Sequence, residues 1–443
     1  MFTAANALYP VLQAKAVRMR SRSTRAVQVY NTSGQLEMNH ESASFFSLDQ
    51  AVKAIWPRTE HLLAETVAAA IAEAAPAADE AGVLSGSTVD LLREAGYFGL
   101  PVPAALDGGG ASLLECAAVQ RRLAQSDPAV AIAGNMHLFS VGMSVEHWLR
   151  RQDSCGLLLN AIAQEHLVLA SAFAEPGLGG ALLRSNVKAT HRQGGYVLRG
   201  VKSPCSLAAH CNLISLQMQA EPAEPNGLML AIIPATAPGI RVERTWDALG
   251  MRASGSETLR LEDCFVPDEL IFHRCEPGFD DDQIFAAGLV WFCVLTTATY
   301  LGVVQAAIDA TRDGLCQTFF GNVERAASLS AQAALGESLA GALSIEAACA
   351  AVAERMDREE SDPRSLVPTA LAVKHVAVDA CIRAVEGAAE LLGAKSYGRT
   401  GILARLWRDV QAARFHPPNR LAARQLLGKW ALQLPFRFEL DEP

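Results

Sequence analysis

The chain has no Cys-x-x-Cys pair, few aromatic residues (6% Phe, Trp and Tyr) and no excess of basic residues. Each shortage excludes something. Its ten cysteines run from Cys116 to Cys381, and the nearest two, Cys205 and Cys211, have no second pair at zinc-ligand spacing. They read as reduced, mostly buried small hydrophobes in a cytoplasmic protein. With 38 Lys and Arg against 47 Asp and Glu, a formal net charge of -9, the chain lacks the dense cationic surface that nucleic-acid phosphates require. Apolar stretches such as Ile284 to Leu301 are interrupted by Gly and Thr. No uninterrupted run reaches the roughly 18 to 20 residues of a membrane span, so none is expected.

Acidic residues are missing from the first 36 positions, which carry Lys15, Arg18, Arg20, Arg22 and Arg25 among several Ser and Thr. That composition is shared by a transit peptide, a disordered tail and an extension upstream of a start at Met38. Residues 1–45 are therefore set apart from the fold.

What is present is ample apolar material, 50% of the 443 residues. A chain of this length is expected to form two or three modules of roughly 100 to 200 residues. Over 46–166 apolar residues recur at helical spacing, as in Leu62, Val67, Ile71 and in Leu113, Ala117, Leu123. Over 167–275 the runs become short and strand-like, including Leu167–Ala172, Tyr196–Leu198, Leu213–Met218, Leu228–Ile233 and Thr258–Leu261. Long alanine-rich helical stretches return over 276–443, namely 288–318, 328–355 and 366–392, the last stopped by Gly393. Helices, strands and helices predict an α+β protein with its site between sheet and bundle.

Four stretches in order resemble the acyl-CoA dehydrogenase superfamily: Leu91–Pro103, Ser171–Gly180, Leu249–Pro267, and Leu391–Gly393 followed by Leu406–Asp409. The resemblance implies an N-terminal helical domain, a central β-barrel-like domain and a C-terminal four-helix bundle. It also implies a flavin, FAD or alternatively FMN, and a homodimer or homotetramer. Ser171–Gly180 is similar to the family's flavin loop. Its Glu175-Pro176-Gly177 and Gly179-Gly180 free backbone N–H groups and omit Cβ atoms, so a flat ring and its phosphates can approach the main chain. By the same resemblance Phe173, Ala174, Gly179, Gly180, Gly393 and Asn419 contact the cofactor. Lys202–Ser206 is similar to the second flavin-contacting strand, with Pro204 at a tryptophan position and Ser206 keeping a hydroxyl at a threonine position.

A member of that family removes a proton from an acyl thioester with a carboxylate as hydride passes to the flavin. The usual glutamate lies nine residues after the helix arginine; counting from Arg408 gives Pro417. A second branch places its glutamate on the helix that carries a Leu-Gly-x-x-Gln-Ala landmark. Here the landmark is Leu301–Ala306 and the position is Phe292. Neither residue takes a proton. His416-Pro417-Pro418 instead resembles the flavin monooxygenase branch typified by dibenzothiophene monooxygenase. That branch also has a histidine on an N-terminal helix, comparable to His137, and a serine comparable to Ser206. Histidines titrate near neutral pH and can donate to a flavin hydroperoxide, so His416, His137 and Ser206 are the expected catalytic residues. Gln317 before Thr318–Gly321, and Glu390 before Gly393, replace residues that hold the distal half of FAD, which favours FMN or a loosely held flavin from a reductase.

The expected activity is thus a flavin oxidoreductase, leaning to monooxygenase or oxidase on a small molecule. The alternatives are a dehydrogenase of an acyl thioester with a displaced base and an electron-transfer partner, and a redox-inactive thioester-binding homologue. No metal site is expected.

Overall fold

A computed structural model describes residues 48–178, 183–277, 281–358 and 362–434, together with two short strands before them. The chain divides into two units, Met1–Val52 and Lys53–Pro443. In the first, β1 (Val29–Tyr30) pairs antiparallel with β2 (Leu36–Glu37). The rest of 1–45, set apart above, lies outside the described residues. Helix α1 (Leu48–Ile55) runs across the division in sequence.

Helices α2 (Glu65–Ala81), α3 (Gly86–Glu94), α4 (Leu113–Ser126), α5 (Pro128–Arg151) and α6 (Cys155–Gln164) follow. Their starts are written in the side chains. Ser85 accepts from the Thr88 amide, Ser112 and Glu115 form a reciprocal capping box, and Asp127 accepts from the amides of Ala129 and Val130 ahead of a proline in the first turn. Helix α5 is buried on nearly every side.

The sheet comprises β3 (Leu169–Ala172), β4 (Lys188–Arg192), β5 (Gly195–Cys205), β6 (Leu213–Ala220), β7 (Leu228–Pro234), β8 (Ile240–Glu243), β9 (Glu257–Pro267) and β10 (Ile271–Cys275). Its order is β10-β7-β6-β4-β5-β9-β8, with β3 parallel to β6. Strands β10 and β8 are the two ends of this order, and the sheet forms the central domain that the resemblance implied.

A 34-residue helix, α7 (Gln283–Cys316), forms the centre of the last third. The hairpin β11 (Phe319–Phe320) and β12 (Val323–Glu324) leads to α8 (Leu329–Met356), α9 (Pro363–Leu392), α10 (Ile402–Val410) and α11 (Arg420–Ala431). Helix α7 packs on α4, α5 and α9. Gly302 permits the first contact, because a Cβ there would stand 2.1 Å from the Arg121 carbonyl oxygen. Gln305, one turn on, accepts from the Arg121 guanidinium at 3.2 Å. The glycine and glutamine of the Leu301–Ala306 landmark therefore dock two helices.

Four helices among the described residues are long and apolar enough to cross a membrane, α5, α7, α8 and the stretch Pro363–Tyr397. The sequence expectation of none rested on unbroken apolar runs, whereas Gly and Thr interrupt these helices without making them polar. In α5 and α7, 94% of the apolar window is buried inside the chain itself.

Candidate active site between the sheet and the helices

The exits of β3 and β5 lie side by side, because the Ser203 amide donates to the Ala174 carbonyl at 2.9 Å. Phe173 and Ala174 on one strand exit are thereby brought beside Pro204 and Ser206 on the other. Gly177 has φ +82° and no heavy atom within 4 Å of where its Cβ would be, so the loop presents open backbone. Gly179 and Gly180 lie outside the described residues.

Glu175 turns inward. Its carboxylate is fully buried against the Lys202 ammonium and also accepts from Ser185 Oγ and the Asn186 amide, each at 2.6 Å. Burial pushes Lys202 down to about 8 against the pull of Glu175. The acid of the loop motif is thus a structural partner, and its lysine, 27 residues away, went unnoticed in the sequence.

Ser206 Oγ is 2.7 Å from Ser256 Oγ, which is 2.7 Å from Ser254 Oγ. The Leu249–Pro267 stretch therefore supplies the second and third members of a hydroxyl chain. Gly250 of that stretch lies against α10, where a Cβ would approach the Arg408 carbonyl oxygen to 2.1 Å. The neighbouring Met251 amide donates to Asp409 at 2.6 Å. Burial raises Asp409 to about 7, with Asp127 adding repulsion.

The turn after α10 faces the strand exits through a row of aromatic contacts. Phe173 lies 5.6 Å from Phe139, Phe139 lies 5.4 Å from Phe292, and Phe292 lies 6.3 Å from His416, measured between ring centroids. Both positions that carry a carboxylate in acyl-CoA dehydrogenases, the turn and Phe292, therefore converge on one place. His416 Nε2 is 2.8 Å from the hydroxyl of Tyr300, two turns along α7 from Phe292. Lys374 on α9 donates to the carbonyls of His416 at 2.9 Å and Pro418 at 3.0 Å. Burial lowers Lys374 to about 8; burial, then the Lys374 charge, lowers His416 to about 3. The imidazole is neutral at working pH. Burial holds the Tyr300 phenol well above its ordinary range, so it keeps its proton.

His137 is used differently from the expectation. It is fully buried, with Nε2 2.8 Å from the Phe98 carbonyl and Nδ1 accepting from the Leu169 amide at 3.0 Å. Both nitrogens are engaged by backbone, burial lowers it to about 4, and the ring ties α5 to the start of β3. Asn419 caps α11, its Oδ1 accepting from the amides of Leu421 and Ala422 at 3.1 Å each. Gly393 ends α9 at φ +68° with open space at its Cβ position. Beside it, Arg325 donates to the Leu391 carbonyl at 2.6 Å and lies over the Phe320 ring. The hairpin after Thr318 and the Gly393 turn are thus neighbours, and they share a cation that the sequence reading overlooked.

Comparison with known proteins matches three parts of the chain to acyl-CoA dehydrogenase domains: the N-terminal domain over 58–148, the middle domain over 170–264 and the C-terminal domain over 294–419. Isobutylamine N-hydroxylase of Streptomyces viridifaciens is 31% identical over 346 residues, 76% of this chain and 87% of that protein. The structure of KijD3 in complex with FMN and an amino-keto sugar nucleotide is 25% identical, with a TM-score of 0.72 over 90% of this chain and 97% of that one. FMN-bound TdsC from Paenibacillus sp. A11-2, 22% identical, shares the fold with a TM-score of 0.73 over 87% of this chain and 98% of that one.

Proposed function

Since the chain belongs to the acyl-CoA dehydrogenase superfamily and is a flavin-dependent oxidoreductase of that type, we propose that it hydroxylates a small, largely apolar amine. One observation carries this reading. Where Phe292 meets the turn that begins at His416, the two positions that would carry the carboxylate are Phe292 and Pro417, neither of which takes a proton.

A flavin, FAD or FMN, fits the residues present. Open backbone at Gly177 and the paired strand exits offer a surface for a flat ring, and Ser206 retains hydrogen-bonding capacity beyond its single bond to Ser256. Ser206, Pro204, Phe173 and Ala174 would hold the ring, while Gly393 and Arg325 would serve the distal half of a flavin across the dimer. When bound, the flavin supplies the redox chemistry.

The protein's own part is positional and protonic. Phe173, Phe139 and Phe292 exclude water and accept the apolar body of the substrate. With the Tyr300 phenol keeping its proton and donating to His416 Nε2, the neutral imidazole would hold its own proton on Nδ1 and donate a hydrogen bond from there. Lys374 fixes the turn through two carbonyls. No carboxylate among the described residues is hydrogen-bonded to His416 or Tyr300, and Lys374 is nearby, so an amine is favoured in its neutral, nucleophilic form. His137 acts as a positioning residue and Asn419 as a helix cap, which leaves His416 as the catalytic residue.

We place the protein in the cytoplasm, where its ten free cysteines fit a reducing compartment and a flavin reductase can supply reduced cofactor. A homodimer or homotetramer is proposed from the family.

The test is incubation of purified protein with reduced FMN or FAD, oxygen and a panel of alkylamines, followed by mass spectrometry. An N-oxygenated product is expected. Anaerobic bleaching of the flavin by an acyl thioester, without oxygenated product, would replace this reading with that of a dehydrogenase whose base is displaced.

A further inference from the structure

Strand β10 carries His273 and Cys275 two residues apart, so both side chains leave the same face of the sheet. Opposite them is Asp282, the cap of α7. Asp282 Oδ1 accepts from the Ile284 and Phe285 amides at 2.9 Å each, which leaves Oδ2 aimed away from the helix and 2.8 Å from His273 Nε2. The ligand atoms of His273, Cys275 and Asp282 all lie within 4.8 Å of one another, and Cys275 is buried. A second histidine adjoins them. His147 on α5 is 3% exposed, its Nε2 is bound to Asp153, and its Nδ1 is buried without a partner among the described residues. Its ring centroid is 6.0 Å from that of His273.

We propose that His273, Cys275 and Asp282 form a binding site for a borderline divalent transition ion of the Zn2+ class, with His147 or water in the fourth position. Imidazole, thiolate and carboxylate together select such an ion over Mg2+ or Ca2+, which take oxygen ligands. Tetrahedral zinc, with bonds of about 2.0 to 2.3 Å, spaces its ligands by roughly 3.3 to 3.8 Å. The present spacing reaches that by side-chain adjustment alone. On binding, Cys275 gives up its thiol proton to solvent, and His273 ligates through Nε2 as neutral imidazole with its proton on Nδ1, the ion replacing the His273–Asp282 hydrogen bond. Oδ1 keeps its capping role, so α7 is undisturbed. The ion would pin β10 to the first turn of the helix that carries Phe292 and Tyr300, and the site stands apart from the flavin reading.

The full-length protein, stripped with a chelator, is titrated with Co2+ and with Zn2+. Expected are one ion per chain, a thiolate-to-cobalt charge-transfer band, and a rise in melting temperature with Zn2+. Cys275→Ser abolishes the band. Asp282→Asn, which preserves the cap, weakens binding by at least the roughly 10- to 100-fold that loss of a ligand's supporting partner costs. His147→Gln separates the histidine-ligated form from the water-ligated one. Absence of stoichiometric binding, or a band that persists in Cys275→Ser, overturns the proposal. Normal folding of Asp282→Asn, checked by circular dichroism, keeps the result readable if Cys275→Ser is unstable.

Discussion

Two buried lysines hold the two sides of the site, and they are partnered in opposite ways. Lys202 meets a carboxylate, Glu175, with Ser185 alongside; among the described residues Lys374 meets only the carbonyls of His416 and Pro418. Burial lowers both to about 8. The bond to Glu175 needs the ammonium charge, because a buried carboxylate left alone is costly. The carbonyls need only N–H donors, which a neutral amine also has. Glu175 is thus kept as architecture, while the turn at His416 is held by neutral carbonyl contacts and, among the described residues, by no ion pair.

The contrast breaks most severely at Lys202. Lys202→Met strands Glu175 in the interior and should cost about 3 to 5 kcal/mol in urea unfolding. Lys202→Met with Glu175→Gln together should recover part of that. If Lys202→Met is as mild as the same change at Lys374, the distinction between ionic and neutral support is lost.

At the turn the effect should fall on chemistry. His416→Ala is expected to lower product formation by about 10²- to 10⁴-fold with flavin affinity retained. Unchanged turnover would show that the histidine turn is only structural.

Lys374→Met removes two donors, about 1 to 3 kcal/mol in all, a smaller stability loss than at Lys202. Its pH signature is also defined. With a folded value near 8 against an ordinary 10.5, the folded protein binds fewer protons than the unfolded chain in that window, so stability rises with pH between them. Unfolding measured at pH 8 and pH 10.5 should show part of this rise missing from the variant.

The smallest change is expected from Tyr300→Phe. Losing one hydrogen bond to His416 should reduce turnover several-fold and alter its pH profile while lowering stability in urea unfolding by only about 1 kcal/mol.

Strands β6 and β7 were readable because β7 is almost wholly buried and continuously apolar up to Pro234, while β6 alternates Ile214, Leu216, Met218 and Ala220 with polar residues. Strands β4, β8 and β10 were not. Lys188–Arg192, Ile240–Glu243 and Ile271–Cys275 carry polar or charged residues at partly exposed positions, and only pairing with neighbours makes them strands. In the candidate site, the choice of Ser206 and His416 as candidates followed from motif spacing. The uses of their surroundings did not: Tyr300 is 116 residues from His416 and Lys374 is 42, so no local pattern joins them. His137 shows the converse, a residue in a suggestive position whose nitrogens are claimed by Phe98 and Leu169, which the fold alone brings to it.

The three hydroxyls of Ser206, Ser256 and Ser254 behave as a single switchable row. Each serine has one proton to give, so orienting the Ser206 hydroxyl toward a bound ring obliges Ser256 to donate to Ser206 and Ser254 in turn to donate to Ser256. Reversing one end reverses the polarity of the whole line without moving a heavy atom. Ser254, 1% exposed and remote in sequence from the strand that bears Ser206, therefore helps decide whether the site offers an incoming group a proton or a lone pair.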